Sequence, residues 1–457
     1  MFKTTAWKTE TRSMLRIAVP VVVAEIGWVA MGVVDVMMVG RIDAESIGAV
    51  SVGRAAFMLV AIAGIGLLLG LDTIIAQAYG AGDLRGCHLG LLHGTYLSLI
   101  MTVPLMLAGY AMAAGLHLWS MDPRVLALAV PYLKVVTWSA LPIFLYATFR
   151  RYLQAINLVR PIMIALLSAN VVNVVANWIL IFGNLGAPAL GAVGAAWATV
   201  FSSGYMALFL IGTALLHDKE GDRGMFRIPL APEAARLKRL FSLGLPAAMQ
   251  LLMEMGVFAL ATMLAARLTP TALAAHQIAI NVASVTYMVP LGMSSAAAVR
   301  VGQALGRKDR PGAATAGWTA LALGAGFMTM AALLFVSVPH WIVRAFTSES
   351  ALLAAGVSLL YVAAVFQLFD GIQVVAIGAL RGAGDTRTPM IWNLVGYWLL
   401  GLPVGYYLCF MAGYGVVGLW IGLSLGLIIV GTILLVAWAR LSTRWLRDRS
   451  EAAQPTS

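Results

Sequence analysis

The chain has 457 residues, of which 61% are hydrophobic and 11% charged, and a formal net charge of +11. A water-soluble domain carries about 25% charged residues, so a mean hydropathy of +0.90 excludes that class. The apolar runs are continuous rather than alternating, which excludes a β-barrel. The basic residues cluster at the ends of these runs, which marks membrane topology and argues against a nucleic-acid surface.

At about 20 residues per crossing, hydropathy predicts twelve spans. The first, 14–38, is too long for a signal-peptide core and holds Glu25 and, in its outer half, Asp35. Spans follow at 55–79, 88–115 and 129–149, the last containing Lys134, the one basic residue placed well inside a span. Span 161–183 carries Asn170, Asn173 and Asn177 in "SANVVNVVANW", a spacing that puts three amides on one helix face. Span 190–215 carries Thr199. Residues 217–240 form the longest and most polar connection. Beyond it come 241–265 with Gln250 and Glu254, 274–299 with His276 and Tyr287, and 313–338. Span 353–379 holds Phe366, Gln367, Asp370 and Gln373, and the last two are 389–410 and 415–439. Cys87 and Cys409 fall in or beside apolar segments and suggest packing, not a disulfide or metal site.

An even number of spans puts both termini on one side. That side collects 24 Lys and Arg, against five on the other: Arg41, Arg54, Arg124, Arg267 and Arg344. Both termini are therefore expected in the cytoplasm.

The two halves repeat. "AVPVVVAEIG" around Pro20 recurs as "GLPAAMQLLM" around Pro246, and "AQAYGAGD" at 76–83 recurs as "GQALGRKD" at 302–309. "VRPIM" at 159–163 and "GAVGAAW" at 191–197 recur as "TRTPM" at 386–390 and "YGVVGLW" at 414–420. The expected organisation is an N-lobe over 1–216, a cytoplasmic linker over 217–240, a C-lobe over 241–440 and a disordered cytoplasmic tail over 441–457. The fold class is an all-α membrane protein, twelve transmembrane helices in two pseudo-symmetric six-helix lobes, a common transporter plan.

Three carboxylates, Asp35, Glu254 and Asp370, lie inside spans, where a charge costs roughly 2.5–3.5 kcal/mol even on the mildest scale. None maps onto a carboxylate in the other half. Shared positions such as Gln77 with Gln303 read as architecture, and the unshared acids read as function. Asp35 with Asn173, Asn177 and Thr199 offers the oxygen set of a hard-cation or proton site. Glu254 with Gln250, and Asp370 with Gln367 and Gln373, sit on polar stripes of otherwise apolar helices. Titration perturbed by such settings suits a proton- or sodium-coupled device. Glu25 is a possible accessory acid, whereas Asp72, near one end of span 2, reads as structural. The lone His276 reads as packed. Methionines and interior aromatics such as Trp28, Phe57, Tyr287 and Phe366 suit packing, and equally an adaptable pocket for flat cations.

The stretches "GVVDVMMVG", "AAHQIAIN", "VFQLFDGIQVVAIGALRGAGDTRTPM" and "YWLLGLPVGY" resemble the multidrug and toxin extrusion (MATE) family, in its bacterial NorM-type branch. The likeness covers essentially the whole chain. It implies an antiporter that exports cationic amphiphilic drugs in exchange for Na+ or H+, with small organic cations as substrates, no other cofactor and no enzymatic activity. By position, Asp35, Asn173 and Asn177 match the family's N-lobe polar site, and Glu254 and Asp370 its C-lobe cation site. Na+ is expected at either set. Phe366 stands where some relatives have Tyr, and Glu25 where a Gln is usual. The expected setting is the bacterial inner membrane, as a monomer. A lipid-linked precursor flippase of the same superfamily is the alternative. That reading wants a cationic cavity for a pyrophosphate, whereas the carboxylates predicted inside these spans outnumber Lys134. A membrane prenyl or acyl transferase would need a paired-aspartate motif or a reactive His with partners in one loop; no "DxxD" is present, and the six His are scattered.

Overall fold

The computed structural model describes residues 4–118, 121–221 and 224–452, and these are almost wholly helical. Twelve helices are long and apolar enough to cross a membrane: α1 (Trp7–Val39), α2 (Ala44–Gly80), α3 (Leu84–Leu118), α4 (Pro123–Ala155), α5 (Arg160–Phe182), α6 (Ala192–Gly221), α7 (Ala234–Ala266), α8 (Pro270–Gly306), α9 (Arg310–Ser337), α10 (Ser350–Gly382), α11 (Arg387–Met411) and α12 (Gly415–Arg447). Each overlaps one of the twelve spans read from hydropathy, and most are lengthened at one end or both.

The extensions have local causes. Asp43 caps α2, its Oδ1 accepting from the Ser46 N–H at 2.6 Å. The Ser46 hydroxyl first, and its N–H with it, hold the exposed Asp43 carboxyl below its ordinary range. Thr269 caps α8 in the same way, and Pro270 occupies the first turn, where its missing N–H costs nothing. Asp83 and Asp309, repeat equivalents, cap α3 and α9 by accepting from the Gly86 and Gly312 N–H groups at 2.8 and 2.9 Å.

Several helices are interrupted. α2 breaks at Leu69, and α4 contains a tight turn at Thr137–Ser139. α11 carries two π-helical stretches, Leu394–Gly401 and Tyr407–Met411. Such widened turns re-aim side chains and recur at functional sites.

The helices pack as two compact units. One is Val23–Ala248, and the other comprises the described residues before Val23 and from Met249 onward. The division falls two residues past Pro20 and Pro246, at equivalent places in the repeat. Glycine explains the allegiance of the leading turns. A Cβ on Gly66 of α2 would lie 2.4 Å from the Ala248 backbone, so the start of α7 belongs with α2. A Cβ on Gly292 of α8 would lie 2.4 Å from Val22, so the start of α1 belongs with α8. The two contacts are repeats of one another, 226 residues apart.

The polar connection between α6 and α7 lies against the N-terminal unit. The Tyr96 hydroxyl donates to the Leu230 carbonyl, and His93 Nε2 accepts from the Glu233 N–H at 2.9 Å. At the other end of the chain, the helix that starts at Gly415 continues to Ala452, through residues expected from sequence to be disordered. Trp438 is fully buried and meets Trp445 edge-on, and Trp318 Nε1 donates to Ser442 Oγ, so this extension has a packed face. Residues 453–457 lie outside the described residues.

Candidate functional site

Asp35 sits on α1 with only 3% of its surface exposed. One carboxylate oxygen accepts from Asn177 Nδ2 at 2.7 Å, and the other from Thr199 Oγ1 at 3.3 Å. Asn177 Nδ2 also donates to Asn173 Oδ1 at 3.1 Å, as the four-residue spacing on α5 allows. The structure thus brings together α1, α5 and α6 through the residues expected from the sequence. Asn170 turns elsewhere, donating to the Gly27 and Leu166 carbonyls. Asp35 opens on a cavity of about 30 Å³, lined among others by Trp28, Arg54, Phe57, Tyr132 and Thr199.

Glu254 and Asp370 lie in the other unit. Both are nearly buried, at 9% and 8% exposure. Glu254 Oε2 accepts from Gln250 Nε2 at 3.0 Å, one turn earlier on α7, and Oε1 accepts from the Tyr287 hydroxyl at 3.4 Å. Asp370 on α10 lies within electrostatic reach of Glu254. Among the described residues no hydrogen bond or ion pair to Asp370 occurs, and no basic group pairs with Glu254. Tyr287 and Tyr397 lie within the field of both carboxylates. Tyr397 belongs to the first π-helical stretch of α11 and donates to Gln373 Oε1 at 3.0 Å, while its neighbour Trp398 donates to the Met253 carbonyl at 3.1 Å. The widened turn therefore aims two aromatic donors at the surroundings of the acid pair.

The remaining candidates divide. Gln367 Nε2 donates to Thr286 Oγ1 at 2.7 Å and leaves its Oε1 buried without a partner. Phe366 packs on Trp420, with ring centroids 5.9 Å apart. His276 is structural, in line with its reading as a packed residue. Its Nδ1 accepts from Trp420 Nε1 at 2.9 Å, so the proton resides on Nε2, which faces Thr262 Oγ1 at 2.9 Å. Glu25 is held by Arg150, whose Nη2 donates to Glu25 Oε1. Asp72 is fully buried, 3.4 Å from Arg151. A larger cleft of about 710 Å³, lined by Lys308, Arg310, Asp385 and Trp445 among others, lies near the end of α10. At 1.5 Å per residue that is about 20 Å along the helix from Asp370, and the cleft holds none of the candidate acids.

One expectation does not hold. Lys134 is exposed on α4, whereas Arg54, Arg150 and Arg151 lie inside α2 and α4, and the latter two are buried. The capped start of α2 and the extension of α4 to Ala155 carry these arginines inward from positions that hydropathy assigns to span ends. Arg54 Nη1 lies 3.9 Å from Asp35 Oδ2. The Asp43 cap was the available signal, since it places Arg54 ten residues inside a helix. Tyr397 gave no signal beyond being aromatic.

The family model named MatE matches twice, over residues 20–179 and 246–407. The chain belongs to the MatE family. The two matched segments begin 226 residues apart, at the two prolines of the internal repeat. Among curated relatives in this family, a probable multidrug resistance protein NorM of Mesorhizobium japonicum is 36% identical over 95% of this chain and 94% of its own length. The multidrug resistance protein NorM of Photobacterium profundum is 32% identical, with 98% of each chain covered. Solved MATE structures share the fold. The eukaryotic transporter AtDTX14 superposes with a TM-score of 0.85 at 21% identity, covering 97% of this chain and 99% of the other. A MATE crystallised in a bent conformation gives 0.87 at 19% identity, covering 98% and 100%.

Proposed function

We propose that this MatE-family protein is a multidrug efflux antiporter that expels cationic amphiphilic drugs in exchange for inward Na+ or H+. The observation that carries this reading is the pair Glu254 and Asp370, two nearly buried carboxylates with no basic partner among the described residues. Negative charge kept in an apolar span without a counterion is expensive, and a mobile cation relieves that cost. The NorM names of relatives at 32–36% identity support the drug-export side.

In the proposed cycle, the acid pair takes up the coupling cation from outside, and Glu254, Asp370, Gln250 and Tyr287 supply oxygens to it. Neutralisation removes the attraction for an organic cation, which leaves outward. The protein then switches access, the coupling ion departs inward, and the restored charge recruits another drug. Inward movement of one positive charge gains about 2.3 kcal/mol per 100 mV. Asp35, Asn173, Asn177 and Thr199 form the second cation and substrate site of the cycle. In this reading the protein resides in the bacterial inner membrane, and the Lys and Arg distribution supports cytoplasmic termini and a cytoplasmic 217–240 connection. It acts as a monomer.

The test is ethidium transport by everted vesicles with Na+ and H+ gradients imposed separately. One gradient is expected to drive uptake into the vesicles. Failure of both removes the antiport reading.

A further inference from the structure

Three arginine–carboxylate pairs can be compared across the two units. Arg150 donates directly to Glu25, and Arg300 grips Glu10 with two bonds at 2.8 and 2.6 Å. Arg54 differs. Its Nη1 stands 3.9 Å from Asp35 Oδ2, beyond hydrogen-bonding distance, and both Asp35 oxygens are already engaged by Asn177 and Thr199. The contact supplies charge without a bond. The Arg54 side chain is 27% exposed against 4% for Asp35, so the guanidinium has an open side to leave by.

Its seat is built into α1. A Cβ on Gly32 would lie 1.8 Å from Nη1 and 2.0 Å from Cζ of Arg54. Only the bare backbone of Gly32, one turn before Asp35, leaves room for the guanidinium there. The cavity that both side chains line measures about 30 Å³, the space of one water or one ion. Asn177, which bonds Asp35, has its Oδ1 buried with no hydrogen-bond partner among the described residues. Rotation of that amide would turn an oxygen toward an incoming ion.

We infer that Arg54 is a tethered counter-cation for Asp35, seated in the Gly32 notch, which a diffusible monovalent cation must displace before it can bind. The inference rests on the proposed role of Asp35 as a cation site and adds the group that controls access to it. Arg54 is a positioning residue in this scheme. It sets whether Asp35 presents a net charge to the cavity.

The test is equilibrium binding of radioactive Na+ to the purified full-length protein, in a Glu254→Gln/Asp370→Asn background that removes the other acid pair. Arg54→Gln should raise Asp35-dependent Na+ affinity at least tenfold. Gly32→Ala should do the same while keeping both charges, because the methyl group evicts the guanidinium. It decides the matter should Arg54→Gln fail to fold. Adding Asp35→Asn should return either variant to background. The inference is overturned if both variants bind Na+ no better than their parent, or if the parent already shows tight binding that Asp35→Asn abolishes. Ethidium efflux by Asp35→Asn alone tests the underlying reading separately. Unchanged efflux there removes Asp35 from transport, whatever Arg54 does to Na+ binding.

Discussion

Gly82 and Lys308 occupy the same place in two copies of one turn, 226 residues apart, and both adopt left-handed backbone, with φ of +75° and +60°. The turn links α2 to α3 in the first half and α8 to α9 in the second. Glycine takes this conformation freely, whereas lysine pays roughly 1–2 kcal/mol for it. The turn after α4 shows the same pattern with the halves exchanged: Asn157 has φ +67° where its counterpart Gly384 has +89°.

Lys308→Gly should therefore stabilise the protein. Relief of strain outweighs the roughly 0.4–1 kcal/mol that glycine returns to the unfolded chain. A net gain of about 0.5 kcal/mol is expected, read as a raised unfolding midpoint in detergent. Gly82→Ala should move the midpoint the other way, since nothing lies within 4 Å of a Cβ there and only the backbone strain acts. A lower midpoint for Lys308→Gly contradicts this account.

Asp370→Asn should abolish drug-stimulated ion movement in proteoliposomes while leaving the unfolding midpoint within a degree or two of wild type. The neutral amide matches the acid in shape and relieves an unpaired buried charge, so folding does not suffer. Wild-type exchange by this variant takes Asp370 out of the mechanism. Gln250→Ala should weaken ion binding more than Tyr287→Phe, because Gln250 reaches Glu254 at 3.0 Å and Tyr287 only at 3.4 Å.

Glu25→Ala should be strongly destabilising, by about 3–5 kcal/mol, because it strands the buried Arg150 guanidinium. The double change Glu25→Ala/Arg150→Met should recover most of that loss, since it removes both charges. Chemical or thermal unfolding of the four proteins gives the coupling directly. Additive effects exclude a structural ion pair.

Trp420→Phe should cost about 1–3 kcal/mol by leaving His276 Nδ1 buried without a donor. Ion coupling should persist in this variant, because His276 holds a fixed tautomer between Trp420 and Thr262 and makes no contact with the carboxylates. Loss of coupling at full expression contradicts the structural role of His276.

The helices were readable because a crossing is a property of consecutive residues, and hydropathy sums over them. The acids were readable for a related reason: Asp35, Glu254 and Asp370 are costly wherever their side chains point, so residue type alone flags them. The amide stripe needs only helical periodicity, and Asn177 does meet Asp35, with Asn173 bonded to Asn177. Partners across long separations were not readable. Arg150 meets Glu25 across 125 residues, and nothing local distinguishes it from an arginine at a loop edge. Hydropathy leaves Arg54 outside span 2, because it begins that span eleven residues after the start of the helix that Asp43 caps. Tyr397 depends on a π-helical turn that no residue pattern in "VGYWLLG" announces.

The close approaches of Gly66 to Ala248 and of Gly292 to Val22 bear on how such a chain could have arisen. A single-copy ancestor of six helices would carry one such groove and one such opening segment. Two such molecules side by side would each lend the other that segment, a reciprocal exchange of arms. Gene duplication then joins partners that already depended on one another, and a severed half of the present protein should be soluble in detergent only when its complement is supplied.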